Sequence, residues 1–504
     1  MLMPDFEQIA QGFATAATGW NLMYCLIGVT VGMLVGVLPG LGPTTGVAVL
    51  LPLTFGMEPV SAIIMLCGIY YGAMYGGTIT SVLINTPGEA ASVITCLDGN
   101  PLAKQGRAGA ALGIAGLGSF FGGTISILGM ILIGPPLAEW ALRFGPPEFF
   151  ALMVLGLSTV IGLMGKSIVR GLISAFLGLN LAMIGIDPMS GTLRFTMGIP
   201  HLTTGLDFVI VAMGLFGLSE ILLGIENMGK AEKPPRIQGL LPRRDEWNPS
   251  MKAIGRGTVL GFLIGLIPGT NSVIPAMLSY SLEKRMARDP SRFGKGALEG
   301  VAGPETANNA YCGGALIPLF TLGIPSSPTI AIILGAFMMH GLTPGPALFE
   351  QNPVFVWGVI ASMFFGNIAL LFMNLPLAGW WAKIAAVPPK LLYPLILLVS
   401  IVGAYTANNN LFDVGVMIAF GVLGYLMKKA GIPMAPIVLT FVLGKMLESS
   451  LLQSLKMMDG SFFGLFTRPI SGAILTVSLI VIGYGVASSL RNGRRNGLGA
   501  DVEM

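Results

Sequence analysis

Short polar side chains and glycines gather at four proline-glycine interruptions of otherwise apolar stretches. The interruptions lie at 38–43, 85–89, 267–272 and 323–328. A helix that begins at such a place presents free main-chain N–H groups that attract anions, and exposed carbonyl groups suit Na⁺. Glycine also lets a ligand approach the main chain. The expected substrate-binding residues are Gly40, Gly42, Thr44, Thr45, Asn85, Thr86, Gly88, Gly269, Thr270, Asn271, Ser272, Ser326 and Ser327.

Two carboxylates accompany these segments. Glu89 ends the second interruption, and Glu305 lies in a polar run that continues through Asn308 and Asn309. Ionisable residues at membrane depth are functional candidates by default, so we expect these four residues to hold a coupling ion. A carboxylate there would bind a proton or ligate Na⁺. The alternative is that the two glutamates only cap short helices at the membrane interface.

The composition places these segments in a membrane. The chain has 504 residues, of which 53% are hydrophobic and only 10% are charged, against about 25% charged in soluble domains. This excludes a soluble enzyme, a nucleic-acid-binding protein and a disordered scaffold, and it leaves a polytopic membrane protein. The two histidines and four cysteines show no metal-ligand spacing, so no metal site and no cofactor are expected apart from a coupling ion.

Uninterrupted apolar stretches of about 20 residues predict spanning helices. The predicted spans are 109–133, 146–163, 168–186, 206–224, 354–376, 391–405, 413–427, 433–450 and 466–489. The interrupted stretches cover 21–56, 60–97, 254–280 and 300–340.

The interrupted stretches form two matched pairs. GVLPG at 36–40 resembles GLIPG at 265–269, and each is followed by a glycine pair, at 76–77 and at 313–314, and then by another interruption. The chain therefore contains an internal repeat of about 230 residues. Paired interrupted segments in two halves indicate the binding site of a transporter.

The distribution of Lys and Arg predicts that the halves are inverted across the membrane. Cytoplasmic loops carry an excess of these residues. The loop 281–299 is basic, whereas its counterpart at 54–59 has none. The stretch 254–280 would leave and re-enter on the same basic side, which predicts a re-entrant hairpin, and 21–56 would form another from the outside. The N-terminus is expected outside and the C-terminus inside.

The expected fold is an all-α polytopic membrane protein with two inverted-topology repeats. Each repeat would contain a re-entrant hairpin and a discontinuous helix followed by spanning helices. The predicted segments are an N-terminal interfacial segment (1–20), repeat 1 (21–224), a cytoplasmic linker (225–253), repeat 2 (254–464), a C-terminal transmembrane helix (465–490) and a cytoplasmic tail (491–504).

The sequence lacks the catalytic and nucleotide-binding motifs that would indicate an enzyme. The sequence has no H-E-x-x-H motif, and Gly165-Lys166-Ser167 lacks the glycine that a P-loop needs at position 160. An intramembrane protease would need a Ser–Lys, Ser–His or paired Asp set at matched depth, and the sequence shows none.

Four motifs give the chain a family resemblance. They are GVLPGLGPTTG at 36–46, YYGAMYGG at 70–77, INTPGE at 84–89 and PETANNA at 304–310. With them, the chain from about residue 20 to 490 resembles the large membrane subunit (permease) of the tripartite tricarboxylate transporters, the TctA family. Hairpins paired with interrupted helices also resemble the ion-transporter superfamily, whose members move their site like an elevator.

The resemblance implies a secondary transporter of the bacterial inner membrane. Its partners would be a small four-helix membrane subunit and a periplasmic solute-binding protein, and no nucleic acid. It would import a small organic carboxylate, such as a tricarboxylate, by symport with Na⁺ or H⁺ and without ATP. The alternatives are a carrier for another solute that works without a binding protein, and a passive channel.

Overall fold

The computed structural model describes most of the chain, and the described residues are 6–38, 41–163, 168–187, 190–226, 237, 239–385, 387 and 389–483. They are helical almost throughout. The only sheet among them is a two-stranded antiparallel hairpin, in which β1 (Gly185–Ile186) pairs with β2 (Leu193–Arg194).

The helices of the first half run from the N-terminus to the linker. They are α1 (Phe6–Ala16), α2 (Gly19–Val37), α3 (Gly42–Leu50), α4 (Pro59–Ile84), α5 (Val93–Lys104), α6 (Ala108–Ala141), α7 (Pro146–Leu163), α8 (Ile168–Ala182), α9 (Phe208–Ala212) and α10 (Ser219–Glu226), with a π-helical turn at Met213–Leu218 between the last two. Short 3₁₀ turns lie at Leu51–Thr54 and Pro200–Leu202.

The helices of the second half begin inside the segment predicted as a linker. They are α11 (Arg244–Gly265), α12 (Val273–Met286), α13 (Glu299–Leu322), α14 (Pro328–Met339), α15 (Pro346–Gln351), α16 (Pro353–Asn374), α17 (Ala378–Ala385), α18 (Pro389–Asn408), α19 (Leu411–Lys429), α20 (Ala435–Met457), α21 (Gly464–Thr467) and α22 (Pro469–Gly483). A 3₁₀ turn lies at Pro290–Arg292. The early start of α11 has a local cause, because Glu246 in its first turn accepts a hydrogen bond from the main-chain N–H of Arg243 at 2.9 Å.

Seven helices of the described ranges are long and apolar enough to cross a membrane. They are Gly19–Val37, Pro59–Ile84, Ala108–Ala141, Phe208–Glu226, Pro353–Asn374, Leu411–Lys429 and Ala435–Met457. The chain is therefore an all-helical, multi-pass membrane protein, as its composition predicts.

Two buried helices, α4 and α13, form the centre of the protein. Every residue of α13 is buried, and α4 is buried from Ser61 to Leu83. Both helices end in a left-handed residue, with φ of 53° at Asn85 and 70° at Gly323. Asn and Gly tolerate this conformation best, so the sequence ends each central helix at one of the predicted interruptions.

Glycines bring one helix of each half into main-chain contact with its central helix. A Cβ atom on three of the α2 glycines would overlap a main-chain oxygen of α4, and the pairs are Gly28 with Met65, Gly32 with Ile69 and Gly36 with Ala73. The same spacing recurs between α11 and α13, where the pairs are Gly257 with Gly303, Gly261 with Ala307 and Gly265 with Tyr311. The two contacts have the same form, and the internal repeat and its inversion across the membrane stay predictions.

Candidate functional site

Residues from all four predicted interruptions line a single cavity of about 570 Å³. The first interruption leads into α3, the second follows α4, the third leads into α12 and the fourth leads into α14. The predicted binding residues in the lining are Gly42, Thr44, Thr45, Gly88, Gly269, Thr270, Asn271, Ser272 and Ser327, and the coupling-ion candidate Glu89 is also there. Both halves of the chain therefore build the same site.

The N-terminal ends of three helices line the cavity. Ser327 caps α14 by accepting a hydrogen bond from the N–H of Ile330 at 3.3 Å. Asn271 accepts hydrogen bonds from the N–H groups of Val273 at 3.1 Å and Ile274 at 3.3 Å in the first turn of α12. Together with the start of α3, these ends give the cavity wall a positive partial charge, which favours an anionic ligand.

Contact between the halves is made at the cavity itself. The hydroxyl groups of Thr44, in the first turn of α3, and Thr329, in the first turn of α14, form a hydrogen bond of 2.8 Å. The neighbouring Thr45 donates to the main-chain oxygen of Phe216 at 3.2 Å, within the π-helical turn. That turn leaves the regular helical hydrogen-bond pattern, and Phe216 also lines the cavity.

Some predicted binding residues bond or pack against the main chain around the cavity. Thr270 donates to the carbonyl oxygens of Ile264 at 3.1 Å and Ile267 at 2.9 Å, which closes the C-terminal end of α11. At Gly88 the glycine is required by packing, because a Cβ atom would overlap the main-chain oxygen of Gly36.

Three predicted residues are not brought to the cavity, and one lies outside the described residues. Asn85, which takes the left-handed conformation, and Thr86 are exposed beyond the end of α4 and do not line the cavity. Ser326 is buried behind the lining, where its hydroxyl donates to the carbonyl oxygen of Ala315 at 3.2 Å. Gly40 lies outside the described residues.

Glu89 is buried in the cavity wall, with 5% of its surface exposed. Its carboxylate accepts hydrogen bonds from the N–H of Ala91 at 2.7 Å and from the side-chain amide of Asn308 at 3.0 Å. The amide oxygen of Asn308 is buried and has no hydrogen-bond partner among the described residues. A buried acceptor without a donor is costly, and a bound cation would satisfy it.

Glu305 is buried and is not part of the cavity lining. Its carboxylate accepts a hydrogen bond from Thr78 of α4 at 2.6 Å and another from Thr95 of α5. Asn309 does not line the cavity either, and its amide donates to Ser119 at 2.8 Å and to the main-chain oxygen of Glu305. The candidate ion residues thus link α13 to three helices of the first half.

No Lys or Arg of the described residues forms an ion pair with Glu89 or Glu305. An unpaired carboxylate is strongly disfavoured away from water, so each glutamate needs a proton or another cation. Glu89 lies close to the start of α5, where its main-chain N–H and C=O groups bond the Ser92 hydroxyl, but its carboxylate bonds Ala91 ahead of that helix, so the helix-cap interpretation stays an alternative for Glu89. It does not describe Glu305, which lies within α13 and contacts two other helices.

Two charged residues in the cavity lining were not among the binding residues predicted from the sequence. Glu220 of α10 and Lys428 of α19 both line the cavity and form an ion pair with each other. Glu220 lies within the predicted span 206–224, near its end, and an acid inside a span is a signal that the sequence offers. Lys428 gives no such signal, because it directly follows the predicted span 413–427 and is predicted to be an ordinary cytoplasmic loop charge.

Comparison with known proteins gives a consistent result along the chain. The family model described as the Tripartite tricarboxylate transporter TctA family matches residues 22–439. A protein of Agrobacterium vitis, described as an uncharacterized 52.8 kDa protein in the TAR-I ttuC' 3' region, is 44% identical over 494 residues, which are 98% of each chain. Another A. vitis protein, from the TAR-II ttuC' 3' region, is 43% identical over 234 residues, 46% of this chain and 97% of its own. No solved structure matches the chain.

Proposed function

The chain belongs to the TctA family of tripartite tricarboxylate transporters, and from this premise we propose that it carries a small organic carboxylate through the cavity between its two halves. Membership makes it a membrane subunit of a transporter rather than an enzyme, and one that works with other subunits. The proposed direction is import across the bacterial inner membrane, with the N-terminus outside.

The observation that carries the proposal is the meeting of four helix interruptions at one cavity. Three helix N-termini and several hydroxyl groups face this space, and such groups bind carboxylates in the absence of formal charge. Non-helical backbone at membrane depth is tolerated where it lines a cavity of this kind. The lining therefore supports an anionic substrate of small size.

Cation coupling is the second part of the proposal. Glu89 and Glu305 are buried without a basic partner among the described residues, and the oxygen of Asn308 next to Glu89 lacks a donor. We propose that Na⁺ or H⁺ binds at these residues and enters together with the substrate. The inside-negative membrane potential then favours import by about 2.3 kcal/mol per excess positive charge per 100 mV.

The proposed mechanism is alternating access with an elevator-type movement. Thr44 and Thr329 join α3 to α14, so the ends of the interrupted helices from both halves would move as one unit. The proposed partners are the small four-helix membrane subunit and a periplasmic solute-binding protein that delivers the carboxylate to the outer face.

Uptake into vesicles tests this function. The chain, reconstituted with the small membrane subunit and supplied with the binding protein, should accumulate radiolabelled citrate or succinate only under a Na⁺ gradient, a H⁺ gradient or a membrane potential. Glu89→Gln should alter the cation dependence. Equal uptake without any gradient would indicate a passive channel, and full uptake without the binding protein would indicate an independent carrier.

A further inference from the structure

Lys428 is the positively charged residue of the cavity. Among the described residues that line this space, no other Lys or Arg is present. Its ammonium group contacts the carboxylate of Glu220, and the two side chains are 23% and 24% exposed. The pair is thus partly sheltered from solvent and directly beside the space proposed for the substrate.

A neighbouring ion pair joins the same two helices but faces away from the cavity. Lys429 contacts Glu226 at 2.6 Å, and Tyr425 donates to that carboxylate at 3.0 Å. These side chains are about twice as exposed, at 46% for Lys429 and 44% for Glu226, and they do not line the cavity. A second ion pair, outside the cavity, therefore also joins α10 to α19. The inner pair is thus available for another role.

Apart from Glu89, whose carboxylate cannot attract an anion, the remaining polar lining offers only partial charges. Helix N-termini and the hydroxyls of Thr44, Ser327 and Thr329 can bind one carboxylate group, whereas a substrate with two or three carboxylates carries further negative charge. A charge-assisted hydrogen bond to an ammonium group is about twice as strong as a neutral one. Lys428 is the lining residue that can provide it.

We propose that Lys428 binds one carboxylate of the substrate, and that Glu220 occupies the same ammonium group when the cavity is empty. This inference rests on the proposed function and specifies its substrate as a di- or tricarboxylate. One carboxylate of the substrate replaces Glu220 at Lys428, while another meets the N-terminal ends of α3 and α14. Glu220 neutralises the ammonium group in the empty site and competes with the substrate for it.

This exchange predicts opposite effects for the two partners. Removal of the Lys428 charge removes a ligand, so binding weakens. Removal of the Glu220 charge removes the competitor, so binding strengthens. A pair that only holds the helices together would instead give two variants with the same direction of change, because either substitution breaks the same contact.

Calorimetric titration of the purified full-length chain with citrate, succinate and acetate tests the proposal. Lys428→Gln should weaken citrate binding at least tenfold, and Glu220→Gln should strengthen it several-fold. Lys428→Arg should keep the affinity within about threefold of the original chain, since it retains the charge. The matched outer variants Lys429→Gln and Glu226→Gln should leave citrate affinity within twofold. Acetate should bind far more weakly than citrate and succinate.

The possible failures are distinguishable. Unchanged citrate affinity in Lys428→Gln and Glu220→Gln would overturn this proposal and leave the carboxylate function standing. Parallel weakening in both variants, with equal losses of thermal stability, would make the pair structural. If the original chain bound none of the three acids while remaining folded, the proposed function would fail and the role of Lys428 with it.

Discussion

The hydroxyl groups of Thr44 and Thr329 lie 2.8 Å apart, although 285 positions separate the two residues in the chain. Each residue stands in the first turn of a helix that follows a proline-glycine interruption, one in each half. The bond closes the wall between the two halves at the cavity. It is therefore a sensitive point at which to test whether the cavity is the route of transport.

Loss of this hydroxyl pair should slow transport. Thr44→Val and Thr329→Val each remove one partner of a neutral hydrogen bond, whose net worth is about 1 kcal/mol, or roughly a fivefold change in rate or affinity. The double variant should be little worse than either single one, because both changes break the same contact. Initial uptake rates in vesicles measure the effect.

Thr321→Val is the matched control for this test. Thr321 is also a buried threonine of the second half, but its hydroxyl bonds the main chain of its own helix and is not part of the lining. If Thr321→Val and Thr329→Val slowed uptake equally, the contact at the cavity would have no special role in transport.

The third interruption needs a glycine at its tip. Gly269 has φ of 80°, in the left-handed region, and it lines the cavity. Gly269→Val should abolish uptake while the protein still inserts, because a β-branched residue is strained there and its methyl groups enter the binding space. Gly255→Val, on α11 where an added Cβ meets nothing within 4 Å, is the comparison. Normal uptake by Gly269→Val would show that this interruption only bends the chain and does not contact the substrate.

The sequence predicts the parts of this site that depend on proline and glycine, but not the parts that depend on side-chain direction and helix packing. Proline and glycine mark the four interruptions directly, so their positions and the helices beside them could be predicted. The direction of each side chain could not, because Ser326 and Ser327 are adjacent yet one supports the main chain and the other lines the cavity. Lys428 was missed because it reaches the cavity from α19, through packing that no local pattern encodes.

The glycine contacts between helices should dominate stability. A Cβ atom on Gly261 would overlap the main-chain oxygen of Ala307, so Gly261→Ala forces α11 away from α13. Overpacking of this kind costs about 1–3 kcal/mol. Gly255→Ala, on the open side of the same helix, should leave stability unchanged or slightly improved. Thermal unfolding of both variants in the same detergent makes the comparison, and equal melting temperatures would contradict the tight contact.

The inverted topology predicts that Arg288 and Glu350 face opposite sides of the membrane. Both residues are exposed in the structure, and the basic loop at Arg288 is expected in the cytoplasm. Single cysteines at the two positions, in a chain without its natural cysteines, should react with a membrane-impermeant reagent from opposite sides of oriented vesicles. Reaction of both from the same side would defeat the inverted repeat.

The most direct measurement of the central claim is a density map of the complete transporter with bound citrate and its coupling cation. The claim predicts a carboxylate in the cavity between the starts of α3 and α14, with the cation close to Glu89 and the free oxygen of Asn308. Citrate bound elsewhere, with this cavity empty in both inward-facing and outward-facing states, would contradict it.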